Sequence, residues 1–208
     1  GAVVNAVTYS GTNDLEANVF AFVTHSALSA RPKAAPSLRE DNSSNYDVGA
    51  RVSGPLLRDR LWYSAAYNPL IDRADKEIPG HGLFTDRRTA HLFAGKLTWQ
   101  AAPRTNVELS VLGDPAVRHE VSVPVAIPTG ATVLNPDPYL WRQETGGVSG
   151  SLRGTVDLGA RLHLAASLAR SASRENRVAE TVVGATESHY IDYVTGAVGG
   201  GVGYGGES

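Results

Sequence analysis

No cysteine occurs among the 208 residues, which excludes a disulfide framework, a thiolate nucleophile and any cysteine-ligated zinc or iron–sulfur centre. No window approaches 18 uninterrupted apolar residues, because charge, Gly or Pro breaks every apolar stretch. No segment therefore reads as a transmembrane helix or a secretory h-region. Positive charge is not in excess either: 19 Lys and Arg stand against 21 Asp and Glu, a formal net charge of −2. Nucleic acid is not a partner that this balance recommends. A membrane β-barrel passes all of these tests, since its strands hide their apolar residues in alternation.

What is present is punctuation. The 22 Gly and 11 Pro are spread along the chain and Lys is scarce beside Arg, a composition that suits many short strands better than long helices. The chain opens with Gly1 and ends in a Gly-rich run from Gly199 to Ser208, and the reading is of a fragment.

Period-two alternation recurs in short runs. These predict strands over Val3 to Tyr9, Glu16 to His25, Asp47 to Pro55, Arg60 to Asn68, Ala90 to Ala101, Thr105 to Leu112, Val148 to Asp157 and Arg161 to Arg170, with a weaker one near His189 to Val198. In Ala90 to Ala101, Phe93, Gly95, Leu97 and Trp99 oppose Leu92, Ala94, Lys96, Thr98 and Gln100. In the run after it, Val107, Leu109 and Val111 oppose Glu108 and Ser110. Such two-faced strands fit an antiparallel sandwich with one solvated face or a barrel.

Connection lengths separate the two. The links Ser26 to Tyr46, Pro69 to Thr89 and Asp114 to Gly147 are long and polar, and alternate with tight ones through Arg58 and Asp59, at Ala102 to Arg104 and at Leu158 to Ala160. An up-and-down meander with its short turns at one end has this pattern, as outer-membrane barrels do, and Greek-key crossovers give no reason for it. Strands of about ten residues also match the 9–11 needed to cross a bilayer at a tilt. The fold expected is all-β, an antiparallel up-and-down meander forming part of a transmembrane outer-membrane β-barrel.

Aromatic and charged residues take roles in that scheme. Trp62, Tyr63, Tyr67, Phe93 and Trp99 suit the interfacial girdles flanking an outward apolar band. Lys96, Glu108, Arg153 and Arg161 then face the lumen, where charge is hydrated or paired.

Groups that could carry chemistry do not converge. His25, His81, His91, His119, His163 and His189 lie on separate strands or loops without metal-ligand spacing. Asp41 to Asp47 lacks the central Gly and terminal Glu of a calcium loop. There is no G-x-S-x-G, and Gly196 to Gly206 lacks the Lys-Ser/Thr of a phosphate loop. The expectation is a protein that is not an enzyme, with no catalytic, cofactor or metal site.

Three ordered segments carry a resemblance. The opening Gly1-Ala2-Val3-Val4-Asn5-Ala6-Val7-Thr8-Tyr9-Ser10-Gly11-Thr12-Asn13 resembles the plug-to-barrel junction of TonB-dependent outer-membrane receptors, in the branch with a carboxypeptidase-regulatory-like N-terminal domain, with Tyr9 at the usual Lys position. Val19-Phe20-Ala21-Phe22 followed by Ser26-Ala27-Leu28-Ser29-Ala30-Arg31 is similar to that branch's first strand and loop. Gly49-Ala50-Arg51-Val52-Ser53-Gly54-Pro55-Leu56-Leu57-Arg58-Asp59-Arg60-Leu61-Trp62-Tyr63 resembles its second strand, periplasmic turn and third strand, and Lys96-Leu97-Thr98-Trp99 adds a weaker match.

The resemblance implies a roughly 22-stranded plugged barrel in the bacterial outer membrane that takes up a bulky ligand. Residues 1–13 would close the plug and 14–208 would supply the N-terminal barrel strands and long extracellular loops. Partners implied are outer-membrane lipid, the remaining strands and plug, and the TonB complex through the missing N-terminal part; the ligand is not legible. Two alternatives are a self-standing, about eight-stranded outer-membrane barrel with a structural or adhesive role, and a soluble β-sandwich carbohydrate-binding module.

Overall fold

The computed structural model describes residues 10–28, 42–122, 133–159, 161–186 and 190–199 apart from 193, 195 and 196. The strand expected over Val3 to Tyr9, most of the first long loop and most of the Gly-rich tail lie outside the described residues. The architecture is all-β, one antiparallel sheet built from β1 (Glu16–His25), β2 (Ser43–Leu57), β3 (Leu61–Ile78), β4 (Gly82–Ala102), β5 (Thr105–Gly113), β6 (Ala116–Val121), β7 (Leu140–Asp157) and β8 (His163–Ala179). Each strand pairs with its neighbour in sequence, the up-and-down meander that the sequence predicts.

β5 and β6 are two halves of one strand. Gly113 sits opposite Phe93 and Val148, and Ala116 sits opposite Ala90 and Thr145, so the register against β4 and β7 is the same on both sides of Asp114-Pro115. Pro115 has no N–H for the ladder. Its carbonyl still accepts from His91 N–H at 2.9 Å, while Asp114 and Gly147 exchange their own bonds at 3.0 and 2.9 Å.

At the tight-turn end the expected strand limits agree with the observed ones to within two residues. At the other end they fall short. Pro69 to Thr89, read as a loop, is almost wholly strand, and so are the two ends of Asp114 to Gly147: β3 and β4 run unbroken to a turn at residues 79–81, and β6 and the first half of β7 rise beside them. These extensions carry charge on both faces, as in Asp72-Arg73-Ala74-Asp75-Lys76-Glu77, so no hydrophobic period marks them. The weak strand near His189 to Val198 is a small hairpin, Tyr190–Ile191 against Val198–Gly199, preceded by the short helix α1 (Val182–Thr186).

Cross-strand register sorts the side chains of the turn-proximal part. One face carries Val19, Ala21 and Val23; Tyr46, Val48, Ala50 and Val52; Leu61, Tyr63, Ala65, Tyr67, Pro69 and Ile71; Trp99, Leu97, Gly95, Phe93, His91 and Thr89; Val107, Leu109 and Val111; Val148, Leu152 and Val156; and Leu164, Ala166 and Leu168. This face also carries charge on β7 and β8: Arg170 opposite Gly150, Arg174 opposite Gly146, and Glu144 opposite Val117. The other face is mostly polar, with Asn18, Arg51, Ser53, Ser64, Asn68, Lys96, Glu108, Ser110, Ser149, Ser151 and Arg153, and also carries Phe20, Phe22, Leu92 and Leu112. Gly113 is needed on the apolar face because the Phe93 ring lies where its Cβ would be, 2.2 Å away.

Among the described residues no second layer covers the apolar face. Val19 and Leu168 are about three-quarters exposed, and Trp99 and Leu109 are half exposed. The buried apolar cluster of Ile78, Val121, Val133 and Tyr139 sits instead at the tall end, where the loop before β7 folds over the β3–β4 turn.

Among the described residues β1 and β8 each pair with one neighbour and not with each other, so the sheet has two open edges as well as a bare apolar face, a combination that promotes association. Expressed alone in buffer, the 208-residue chain is expected to aggregate, and to fold only when detergent or lipid is supplied. A soluble monomer that unfolds in one cooperative transition would contradict this; sedimentation and denaturant titration decide it.

Candidate functional site

The polar face is the candidate site, and three clusters along it come from different strands. At the tight-turn end the chain before β1 is clamped to the β2–β3 turn. The turn closes with Arg60 N–H donating to Leu57 O at 3.1 Å, and Asp59 takes φ 60°, a left-handed conformation that Asp tolerates better than most residues. Asn13 Oδ1 accepts from Asp59 N–H at 3.0 Å and from Trp62 Nε1–H at 2.9 Å, and Asn13 Nδ2 donates to Asp59 Oδ1 at 2.6 Å. Gly11 lies so close to β3 that a Cβ would meet Tyr63 O at 2.4 Å, so only glycine fits there. Gly11-Thr12-Asn13 and Asp59-Arg60-Leu61-Trp62, read from the sequence as two separate matches, are one contact.

Trp62 therefore differs from its expected role. It and Tyr63 are adjacent in a strand, so they point to opposite faces, and Trp62 belongs to the clamp on the polar side. Tyr63, Tyr67, Phe93 and Trp99 share the apolar face. There Tyr67 Oη and His91 Nδ1 lie 2.7 Å apart with their rings stacked, which satisfies both polar groups on a greasy surface.

At mid-height Lys96 and Glu108 form an ion pair at 3.4 Å, with the Lys96 side chain only 10% exposed. Arg153 stands directly opposite Glu108 on the next strand, an arrangement of opposite charges that stabilises a sheet. Three of the four charged residues expected to share one face do so. Arg161 does not: it lies in the β7–β8 turn, exposed and outside the strands, because β8 begins at His163. His163 Nδ1 caps that turn against Asp157 Oδ1 at 2.5 Å.

The third cluster lies on the tall extension, beyond the last apolar row, and the sequence reading missed it. Asp86, 5% exposed, receives Arg118 Nε and Nη2 at 2.9 and 2.8 Å and Lys76 Nζ at 2.8 Å. Lys76 Nζ also donates to Val121 O at 2.8 Å. Asp72 bridges Asn45 and Arg88, the latter at 3.6 Å. Together with Thr24 these residues line a groove of about 400 Å³. The signal was a charge pattern of period two, Asp72, Ala74, Lys76 against Phe84, Asp86, Arg88, which hydrophobic periodicity does not detect.

Burial works to raise the Asp86 carboxyl, and the hydrogen bonds and charge of Arg118 and Lys76 outweigh it, so Asp86 titrates below the ordinary aspartate value of 3.8. Asp86 in turn raises Arg118. The five ionised groups Lys76, Arg88, Arg118, Asp72 and Asp86 leave one positive charge over, so the groove favours an anion or a ligand rich in hydrogen-bond acceptors.

The remaining described histidines serve local roles: His25 Nδ1 accepts from Ala27 N–H, His81 Nε2 bonds Val133 O, and His119 pairs with Glu180, while His189 lies outside the described residues. Among the described residues no three His, Asp or Glu converge on a point where a metal could sit, and no helix is long and apolar enough to cross a membrane.

No protein-family model matches the chain, and no solved structure matches it. It is similar to a TonB-dependent transporter, Oar, of Myxococcus xanthus, 30% identical over 152 residues that take in 55% of this chain and 14% of that protein. The chain thus spans about one-seventh of the length of the curated relative it matches.

Two outcomes follow from this geometry. Asn13→Ala removes three hydrogen bonds, about 1.5–2 kcal/mol in an exposed setting; in the full polypeptide, tryptic cleavage at Arg58 and Arg60 should speed up about tenfold, and an unchanged rate would dismiss the clamp. Because the folded carboxyl of Asp86 is depressed, the stability it contributes is fully present above pH 3.8 and is lost as pH falls through the lower folded value. Hydrogen exchange of β3 and β4 at the tall end should rise in acid. In Asp86→Asn it should be about tenfold faster at neutral pH and no longer respond to acid in that range.

Proposed function

We propose that the chain is the N-terminal barrel segment of a TonB-dependent outer-membrane receptor, whose parent takes up a bulky ligand without covalent chemistry. The observation that carries this reading is the single-layer meander with an apolar face eleven residues deep on β3 and β4, a mostly polar opposite face and two open edges among the described residues. A face of that depth, at the tilt of barrel strands, spans the roughly 25 Å of an outer-membrane apolar band. Closing the edges requires further strands, and a polar inner wall requires water or a plug.

The similarity to the Myxococcus transporter supports the same family, and the Gly11–Asn13 clamp supports residues 1–13 as the end of a plug that enters on the polar side. Residues 14–208 then supply barrel strands and the outward end of the lumen. The branch with a carboxypeptidase-regulatory-like domain is the finer assignment. Tyr63, Tyr67, Phe93 and Trp99 are the residues placed against lipid headgroups and tails, and Lys96, Glu108 and Arg153 line the lumen. The partners are outer-membrane lipid, the remaining strands and plug, and the TonB complex; the location is the bacterial outer membrane.

The first test is the denatured mass of the native polypeptide carrying this sequence in an outer-membrane fraction. A chain several times 21.9 kDa is expected. A chain near 21.9 kDa would withdraw the transport reading and favour a small closed barrel.

A further inference from the structure

On β3 and β4 the apolar face runs from Leu61 and Trp99 to Ile71 and Thr89, eleven residues on each strand. The next residues on that face are Arg73 and Arg87, directly opposite each other in the register and both exposed. Like charges at that separation, Cβ atoms about 5 Å apart, repel and destabilise a sheet. The neighbours along the same row have acidic partners: His119 hydrogen-bonds Glu180, and Arg142 pairs with Glu144. Arg73 and Arg87 touch no carboxylate among the described residues. Asp75, the acid nearest on that face, is engaged by Thr85 Oγ1 at 2.8 Å, and Asp72 and Asp86 point to the other side with cations of their own.

We propose that Arg73 and Arg87 form a binding site for the phosphate group of an anionic lipid in the outer leaflet. The inference rests on the apolar face being the lipid-facing one. Two guanidinium forks can share one phosphate, each through paired N–H donors, and an intervening anion turns the repulsion into attraction. A membrane lipid is favoured over a soluble anion by position, because acyl chains leaving the headgroup lie directly along Ile71, Tyr46 and Tyr67. Basic residues at the edge of an apolar band are the usual pattern for anionic headgroups.

The test uses the full-length polypeptide, folded into phosphatidylcholine vesicles containing either diphosphorylated lipid A or the same lipid with its phosphates removed, with lipid retention read after extraction. The wild type should retain the phosphorylated form preferentially. Arg73→Gln/Arg87→Gln should lose about thirtyfold, near fivefold for each cation, and Arg73→Lys/Arg87→Lys should keep most of the binding. A heat-shifted electrophoretic band reports folding. A folded protein indifferent to lipid phosphate, or to both Gln substitutions, would overturn the site and leave the membrane reading standing. A polypeptide that never gives a lipid-inserted, heat-shifted form would overturn both. Displacement by inorganic phosphate alone at equal concentration would reassign the site to a soluble anion. Loss of a co-purifying protein from the Gln variant, with lipid retention unchanged, would reassign it to a protein partner. Should the Gln variant not fold, the comparison of the two lipids on wild type decides.

Discussion

A sheet one layer thick has to find cover for its apolar side outside itself, and every other feature of this chain is arranged around that requirement. In a two-layer domain the greasy faces of two elements bury each other. Here the described strands offer a greasy face with no second element on it, and among the described residues the buried apolar cluster sits past the end of that face, around Ile78 and Tyr139. Lateral hydrogen bonds hold neighbouring strands in register, but they do not remove apolar area from water. The medium on the far side, lipid in our reading, is therefore part of the fold.

Above the apolar rows the physics changes within two residues. Ile71 is followed on its own face by Arg73, Thr89 by Arg87, and Val117 by His119. From there both faces carry charge, and the strands are held by cross-strand ion pairs and hydrogen bonds such as Asp72–Arg88, Asp86–Arg118 and Glu120–Arg177. Pairs of this kind contribute little when solvated singly. The Asp86 group is the exception, because one buried carboxylate takes two cations and its removal would strand both.

Hydrophobic contrast is what made the fold legible, and its loss is where legibility ended. β1 was readable at both ends because Glu16–His25 is a Val- and Phe-rich run bounded by Asn13-Asp14 and Ser26, and the turns at Arg58–Asp59 and after Ala102 were marked by charge and proline. The tall halves of β3, β4, β7 and β8 were not readable, since water accepts either face of a strand rich in Asp, Arg and Lys. Trp62 was misplaced by adjacency: composition counts it with Tyr63, whereas the pleat separates them. Arg161 was two residues outside its strand. The two motifs at Gly11–Asn13 and Asp59–Trp62 were visible as strings 46 residues apart, but that Asn13 caps the Asp59 turn could not be read from either alone.

That clamp also has a mechanical side. β1 is an edge strand with one hydrogen-bonded neighbour, and a pull on the chain ahead of it, directed away from the sheet, would open its ladder to β2 like a zipper, one bond at a time. The bonds from Asn13 to Asp59 and Trp62 intercept that load. Tension arriving through Gly11 is shared with the β2–β3 hairpin, where several bonds must break together before any strand moves. The first strand of the wall is thereby shielded from force applied to whatever precedes it.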